Sequence, residues 1–178
     1  TPSGNTTLVT CSFTMNYMAL NDTWTASIIA NDSAGASATG TDTNTVSDLA
    51  GLDVVDSTID LGSLQLGANS SSATTMTVRS QGNVRIDARY SGNDYTCTTG
   101  TIGVGNTSYS TSTGNYDSMS TGLTASATTQ TAFNLGVRGV ATANGANSDG
   151  SEYWTVKVPA SGVSGTCTNT LTVAAIAG

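Results

Sequence analysis

The chain has 178 residues, of which only 10% are charged, none is histidine, and the net charge is -7. This length suits one domain, and the scattered acidic excess argues against nucleic acid and anionic membrane surfaces as partners, because both bind a clustered basic face. The apolar 37% falls into alternating runs, which favours a folded domain over a disordered chain.

The start at Thr1, without a methionine, is typical of a secreted protein whose signal peptide has been removed. No apolar run approaches the roughly 20 residues that a membrane-spanning helix needs. We therefore expect an extracellular, cell-surface protein without a membrane span. Asn-X-Ser/Thr sequons make glycans a further expected partner. The candidate acceptors are Asn5, Asn21, Asn31, Asn69 and Asn106.

The first predicted strand runs from Leu8 to Leu20. Successive side chains of a strand point to opposite faces, and from Val9 onward one face is apolar. That face carries Val9, Cys11, Phe13, Met15 and Tyr17. Because no partner strand precedes it, this strand either closes a sheet of its own chain or completes a sheet of another. We divide the chain into an N-terminal extension, residues 1–20, and a β-sandwich domain, residues 21–178.

A second strand is predicted over Thr23 to Ala30, with Trp24, Ala26 and Ile28 on one face. The polar stretch from Asn31 to Ser47 predicts a long surface loop. Residues 49–55 fit either a helical turn or a strand, and Ile59 to Gly67 reads as a strand that ends at a turn.

The clearest hairpin signal joins Ser72–Ser80 to Val84–Tyr90 through the turn residues Gln81-Gly82-Asn83. In its second strand the apolar residues alternate with Arg85, Asp87 and Arg89. These charged side chains are expected to form a solvated cross-strand ladder.

The second half of the chain repeats the same short-strand pattern. Strands are predicted at Tyr95–Val104, Thr131–Val140, Glu152–Val158 and Gly165–Ala177, with an exposed loop or edge hairpin over Asn106–Thr124. About nine to eleven strands without a long helix predict an all-β fold, a single antiparallel β-sandwich of immunoglobulin or jelly-roll type.

The three cysteines lack CxxC spacing and have no histidine beside them, so a zinc site is not expected. In an oxidising compartment two would pair, and we favour Cys97 with Cys167 because both lie in the main body of the domain. Such a bridge would contribute about 4 kcal/mol in the chain-entropy model. Cys11 would be left as a buried free thiol, as a link between subunits, or in a pairing within its own chain.

Candidates for catalysis and cofactor binding are weak. Without histidine or a Gly-X-Ser-X-Gly elbow there is no nucleophile with a base, so neither an enzyme nor a cofactor is expected. Oxygen ligands in the loop 144–152 give a weak calcium candidate at Asn147, Asp149 and Glu152, for which a plain hydrophilic turn is the alternative. A weaker acidic cluster comprises Asp53, Asp56 and Asp60.

The aromatic residues give one hint of a carbohydrate-binding surface. Tyr109 and Tyr116 fall in the predicted exposed loop, where their rings would be available for stacking on a sugar. Trp154 alternates with Val156 and Val158, which is the spacing of a buried strand face.

Several motifs resemble those of secreted microbial β-sandwich domains. These are Ile59-Asp60-Leu61-Gly62-Ser63-Leu64, Val78-Arg79-Ser80-Gln81-Gly82-Asn83-Val84, Tyr153–Pro159, Gly162–Gly165 and Thr166–Val173. Over Ile59 to Ala177 the chain resembles archaeal thread and bundling-pilus subunits and the related camelysin/TasA-type biofilm fibre proteins.

The resemblance implies polymerisation by donor-strand complementation, in which the N-terminal strand of one subunit fills a strand gap in its neighbour. Identical subunits would then be the partners, in a head-to-tail extracellular filament. The donor role falls on Val9, Cys11, Phe13, Met15 and Tyr17, although a cysteine at this face is not something the family requires. The alternative is a monomeric carbohydrate-binding or adhesin-like surface-layer module, whose first strand folds back into its own sheet.

Overall fold

The computed structural model describes residues 9–138 and 148–178. The chain is all-β with antiparallel sheets, which confirms the fold class predicted from the sequence. Its strands are β1 (Thr23–Asn31), β2 (Ser37–Thr45), β3 (Leu52–Val54), β4 (Thr74–Ser80), β5 (Ile86–Gly92), β6 (Tyr95–Thr99), β7 (Thr101–Ile102), β8 (Thr107–Ser110), β9 (Thr121–Gly122), β10 (Thr128–Leu135), β11 (Asp149–Val156), β12 (Ser164–Thr168) and β13 (Leu171–Ala177). Within these described ranges, no helix is long and apolar enough to cross a membrane.

Two layers form the sandwich. One layer is the sheet β3-β4-β11-β8-β9. The other contains the sheet β10-β5-β13 and, beyond it, the sheet β12-β6-β7. The second layer runs on from one sheet to the next because β6 follows β5 after two residues, and β13 follows β12 after two residues.

The core lies between these layers and is built from alternating positions. Met76 and Val78 of β4 face inward, as do Ile86, Ala88 and Tyr90 of β5, and all five are at most 1% exposed. Alternation of buried and exposed residues in both strands follows from their period of two. Trp154 is also buried in this core, as its spacing predicts.

The predicted hairpin between Ser72–Ser80 and Val84–Tyr90 is wrong, although both strands exist. β4 and β5 lie in opposite layers, and the turn at residues 81–83 carries the chain from one layer to the other. The local sequence predicts the turn but not the pairing, because inward-facing apolar residues satisfy either arrangement. A side chain at Gly82 would collide with the carbonyl of Leu49, which explains the glycine at this crossing.

The predicted long loop over Asn31–Ser47 is also wrong, because most of it is strand β2. β2 pairs with β1 along its whole length, from Thr23 opposite Thr45 to Asn31 opposite Ser37. Only the turn at residues 32–36 connects them, where the Asp32 carboxylate accepts the backbone N–H groups of Ala34 and Ala36. Every residue of both strands is exposed, so β1 and β2 form a ribbon outside the two core layers.

Two further segments differ from their predictions. Residues 49–55, left open between helix and strand, contain the short edge strand β3. Ile59–Gly67, predicted as a strand, pairs with no strand of the described structure. The region Asn106–Thr124 does contain a short hairpin-like pair, β8 with β9, but β8 is fully buried and not exposed.

Candidate functional site

The N-terminal segment, Val9–Tyr17, belongs to no sheet of its own chain in the described structure. Its apolar side chains stand in solvent: Val9 is 62% exposed, Phe13 70% and Tyr17 53%. Cys11 is an exposed free thiol, so the buried thiol considered from the sequence is wrong. A run of large apolar residues without a partner is unusual on a folded surface and indicates an interaction site.

The segment leaves the sandwich at a fixed point beside the turn 81–83. The side-chain amide of Asn83 donates hydrogen bonds to the carbonyls of Ala19 and Ser47, at 2.9 and 3.0 Å, and accepts the N–H of Leu49 at 2.7 Å. Asn83 itself is only 2% exposed. One buried amide therefore holds the end of the N-terminal segment and the base of the β1–β2 ribbon together.

A cleft of about 1400 Å³ opens along one side of the sandwich. It is bounded on one side by residues 54–66, here called the rim segment, and on the other by β12 and the start of β13. Apolar side chains from both layers form its floor, among them Met76, Tyr95, Ile102, Leu123, Trp154 and Val156. These floor side chains are themselves at most 8% exposed, so the cleft lies against the side of the sandwich core.

The rim segment makes few backbone hydrogen bonds. It is held by the carbonyl of Asp60, which accepts the hydroxyl of Thr74 at 2.8 Å, and by the Asp56 carboxylate, which accepts the N–H of Thr77 at 2.8 Å. Ile59, Leu61 and Leu64 are only half-buried against the core clusters. From Ile59 onward the rim segment carries the alternating pattern of a strand, but no strand of the described structure lies beside it to form a ladder.

The opposite rim is a sheet edge. β13 is the last strand of the sheet β10-β5-β13, and β12 is the last strand of the sheet β12-β6-β7. Among the described residues, one backbone edge of each strand has no partner strand and can pair with an added one. A disulfide joins Cys97 of β6 to Cys167 of β12, two residues that lie directly opposite each other in the ladder. The bridge covalently ties this rim to the rest of its sheet.

Beside the cleft floor lies a buried carboxyl group. Glu152 is fully buried, and burial raises the pKa of its carboxyl group to about 7. The Tyr90 hydroxyl donates to its Oε2 atom at 3.3 Å. Tyr109 packs at the same place, and burial followed by the Glu152 charge raises the pKa of its hydroxyl to about 12. Nothing in the sequence pattern distinguishes Glu152 from an ordinary loop carboxylate.

The calcium candidates do not come together. Asp149 forms a two-pronged ion pair with Arg79, with both nitrogen–oxygen distances 2.9 Å. Glu152 instead points into the core, because residues three apart in a strand lie on opposite faces. Asn147 lies outside the described residues. No group of three potential metal ligands occurs in the described ranges, so Asp53, Asp56 and Asp60 form no such group either.

The two tyrosines predicted as a sugar-stacking surface also separate. Tyr109 is completely buried against Trp154, with ring centroids 4.9 Å apart, so its predicted exposure is wrong. Tyr116 is half-buried, and the Lys157 ammonium lies 6.0 Å from its ring centroid. The sequence predicted a polar loop here because the other three residues of β8 are Ser or Thr, although the strand is buried.

The sequons differ in accessibility. Asn31 is exposed at the end of β1, and Asn21 is exposed although its side chain donates to Asp48. Asn69 and Asn106 are half-buried and use their side-chain nitrogens in hydrogen bonds to Asp117 and to the carbonyl of Gly103. Asn5 lies outside the described residues.

The chain matches no known protein-family model, no curated protein and no solved structure. Its function is therefore inferred from the cleft, its two rims and the unpaired N-terminal segment.

Proposed function

We propose that this protein is the structural subunit of an extracellular filament, in which Val9–Tyr17 of one copy enters the cleft of the next copy as a donor strand. The observation that carries the proposal is that, in the described structure, an unpaired apolar segment coexists with a cleft that has an apolar floor and rims without a partner strand. Left uncovered, the segment and the cleft would each promote non-specific association, because exposed apolar surface and free strand edges both bind other chains.

Segment and cleft agree in length. Val9–Tyr17 has nine residues, which span about 30 Å as a strand. The edge rim, from Ser164 to Val173, has ten residues and a similar span. One extended segment can therefore run the length of the rim without a gap.

They also agree in chemistry. With Val9, Cys11, Phe13, Met15 and Tyr17 turned inward, five apolar side chains would meet the apolar floor. Burial of a large apolar side chain contributes about 1.5–3 kcal/mol before the entropy cost of ordering is subtracted. The alternate residues, from Thr10 to Asn16, would face outward. Main-chain hydrogen bonds to the β12–β13 edge would add a ladder, as in other strand-addition complexes.

The geometry favours a chain of subunits over a closed pair. The donor segment and the acceptor cleft are different surfaces of one molecule, so each contact leaves a free donor at one end and a free cleft at the other. Such head-to-tail contacts continue as a filament unless their rotation closes a ring. The disulfide at the cleft rim suits an oxidising extracellular compartment. The resemblance to thread and biofilm fibre subunits points to the same function.

A second candidate is a monomeric binding module in which the cleft is filled by the same molecule's own segment. A turn ends the segment, where the N–H of Ala19 donates to the carbonyl of Asn16 at 2.9 Å. This turn favours the monomeric module, because a change of chain direction there is what the segment needs in order to fold back onto its own molecule. The Trp24 ring, 46% exposed, would then be a candidate contact for a carbohydrate.

The two candidates predict different particles in solution, a filament for the first and a monomer for the second. We expect the intact chain to form filaments visible by negative-stain microscopy. Deletion of residues 1–17 leaves Ala19 and its bond to Asn83 in place, and should give soluble subunits that bind a synthetic peptide of residues 8–20. A peptide carrying Phe13→Asp is the control and should not bind.

Addition of the deleted chain during assembly should shorten the filaments, because it offers a cleft but no donor. An intact chain that stays monomeric at every concentration would overturn the filament proposal. If the deleted chain still bound the peptide in that case, the result would favour the monomeric module.

A further inference from the structure

The β1–β2 ribbon is a second unpartnered surface, separate from the donor segment and the cleft. Isolated two-stranded hairpins are at best marginally stable in water. Nevertheless Trp24, Ile28 and Ile29 of β1 are 46%, 51% and 64% exposed. An ordered ribbon that exposes such residues is expected to pack against something.

The two faces of the ribbon differ in character. Residues directly opposite each other in an antiparallel pair share a face. One face, here called the tryptophan face, combines apolar and small residues with a single carboxylate, and consists of Trp24, Ala26, Ile28, Ala30, Ala38, Gly40, Asp42 and Asn44. The other face is mostly threonine, with Thr23, Thr25, Thr39, Thr41, Thr43 and Thr45 around Ser27 and Ile29. The tryptophan face is the better docking surface.

Charge restricts its partner. Residues 21–48 contain four aspartates, namely Asp22, Asp32, Asp42 and Asp48, and no lysine or arginine. All charged residues of this region are therefore acidic, and the tryptophan face should prefer a cationic surface that also carries apolar groups.

Such a surface exists on the same protein. Arg89 lies on the outer face of β5. Arg85 immediately precedes this strand, and its carbonyl accepts the N–H of Gly178 at 2.9 Å, so the pairing with β13 extends through Arg85 and places its side chain on the same side as Arg89. Their Nε atoms are buried against the sheet, and neither arginine forms an ion pair in the described parts of the chain. On the neighbouring strand β13, Ala174 lies opposite Arg89 and Ile176 lies opposite Asp87. The intervening Asp87 already accepts the N–H of Asn134 at 2.8 Å.

We propose that the tryptophan face of the ribbon in one copy docks on the Arg85–Arg89 face of a second copy. Asp42 would approach a guanidinium group, and Trp24 offers a ring on which the other guanidinium can stack. Ile28 would pack near Ala174 and Ile176. This contact is independent of donor-strand insertion, because it uses neither residues 9–17 nor the cleft.

The contact is small. A ribbon about 30 Å long and two strands wide covers about 300 Å² on each partner, which is less than a stable complex between free monomers usually buries. It is therefore weak between single molecules and becomes effective when many copies are linked, as multivalent binding requires. Side-by-side association of filaments would be its consequence if the filament proposal holds.

The test uses the full chain with Phe13→Asp and Met15→Asp, two exposed positions at which the change blocks donor insertion. Sedimentation analysis should still show weak, concentration-dependent self-association. Salt at about 1 M should weaken it, because the Debye length is then about 3 Å. In this background Asp42→Arg and Trp24→Ser should each weaken association at least about tenfold. The matched control, Thr43→Arg, adds a cation to the other face and should have little effect.

Charge reversal on both sides identifies the partner surface. Arg89→Asp alone should weaken association, and its combination with Asp42→Arg should restore most of it. If Arg89→Asp impairs folding, the comparison of Asp42→Arg with Thr43→Arg still tests whether the tryptophan face of the ribbon mediates self-association. A background chain that is monomeric throughout, or equal effects of these two ribbon variants, would overturn this proposal. Neither result bears on the filament proposal, which is tested by microscopy of the chain with native Phe13 and Met15.

Discussion

The side-chain amide of Asn83 donates a hydrogen bond to the carbonyl oxygen of Ala19, 2.9 Å away and 64 residues earlier in the chain. Through the same amide group it also holds Ser47 and Leu49. The two segments that project from the sandwich, the N-terminal segment and the ribbon, thus begin at one buried polar side chain. Their starting points are fixed although most of their residues are exposed.

Asn83→Ala should therefore destabilise the protein markedly. The change removes three part-buried hydrogen bonds and leaves a cavity at a side chain that is 2% exposed. Loss of one hydrogen bond costs about 0.5–1.5 kcal/mol. We expect a loss of about 2–4 kcal/mol in the free energy of unfolding, measured by chemical denaturation. Gln81→Ala is the control. Within residues 9–138 and 148–178 its side chain accepts only the exposed Tyr17 hydroxyl at 3.2 Å, so the loss should stay within about 0.5 kcal/mol.

Assembly should depend on which face of the N-terminal segment is changed. Phe13→Asp places a charge on the face that would enter the cleft, and we expect it to abolish filaments. Thr14→Asp adds the same charge one residue later, on the face that would remain in solvent, and should leave assembly largely intact. Pelleting and negative-stain microscopy measure both. Equal loss in the two variants would argue against a strand-like insertion with this register.

Stability should fall as the pH rises from about 4.5 to about 7. Burial raises the pKa of the Glu152 carboxyl group from 4.5 to about 7, so in this range the folded state binds more protons than the unfolded state. The stabilisation by the neutral carboxyl is complete below pH 4.5 and lost through pH 7. The expected change is on the order of 3 kcal/mol.

Denaturation midpoints at pH 5 and pH 8 measure this effect, and Glu152→Gln should flatten the profile. The neutral amide of the variant keeps an oxygen that can accept the Tyr90 hydroxyl. Asp149 does not interfere in this range. Its bond to Arg79 lowers the pKa of its carboxyl group, so its contribution is lost only at more acidic pH. An unchanged slope in Glu152→Gln would assign the pH dependence elsewhere.

Reduction of the Cys97–Cys167 bridge should loosen the edge rim of the cleft. The bonded cysteines are 70 residues apart, and the chain-entropy model gives about 4 kcal/mol for a loop of this size. We expect reduced protein to unfold at lower denaturant concentration and to bind the donor peptide more weakly. The Cys11→Ser variant, which retains the bridge, should respond to reductant in the same way. A response confined to the chain with native Cys11 would instead indicate a link between subunits.

Sequence alone predicted the parts of the fold in which one apolar face alternates with one polar face. β4, β5 and β11 follow this rule, and it also placed Trp154 in the core. β2 was missed because both its faces are polar or small, so its sequence has the composition of a loop. β8 was missed for a related reason, since three of its four buried residues are Ser or Thr.

The cleft was outside the reach of a single-sequence pattern. Ile59–Gly67 has the alternation of a strand, and the prediction of a ladder there failed because no described strand of this chain lies beside it. The pattern reports what a segment is suited to pair with, not whether the partner is in the same molecule. The raised pKa of the Glu152 carboxyl group is likewise set by tertiary packing around Tyr90 and carries no local signal.

The turn at the tip of the β1–β2 ribbon makes the molecule a candidate display scaffold. Residues 32–36 are exposed, and Gly35 has open space around it. They are held by local bonds to Asp32 and not by the sandwich. A foreign peptide grafted between β1 and β2 should therefore be presented to solvent while folding and assembly continue, and in a filament it would recur once for every subunit along the surface.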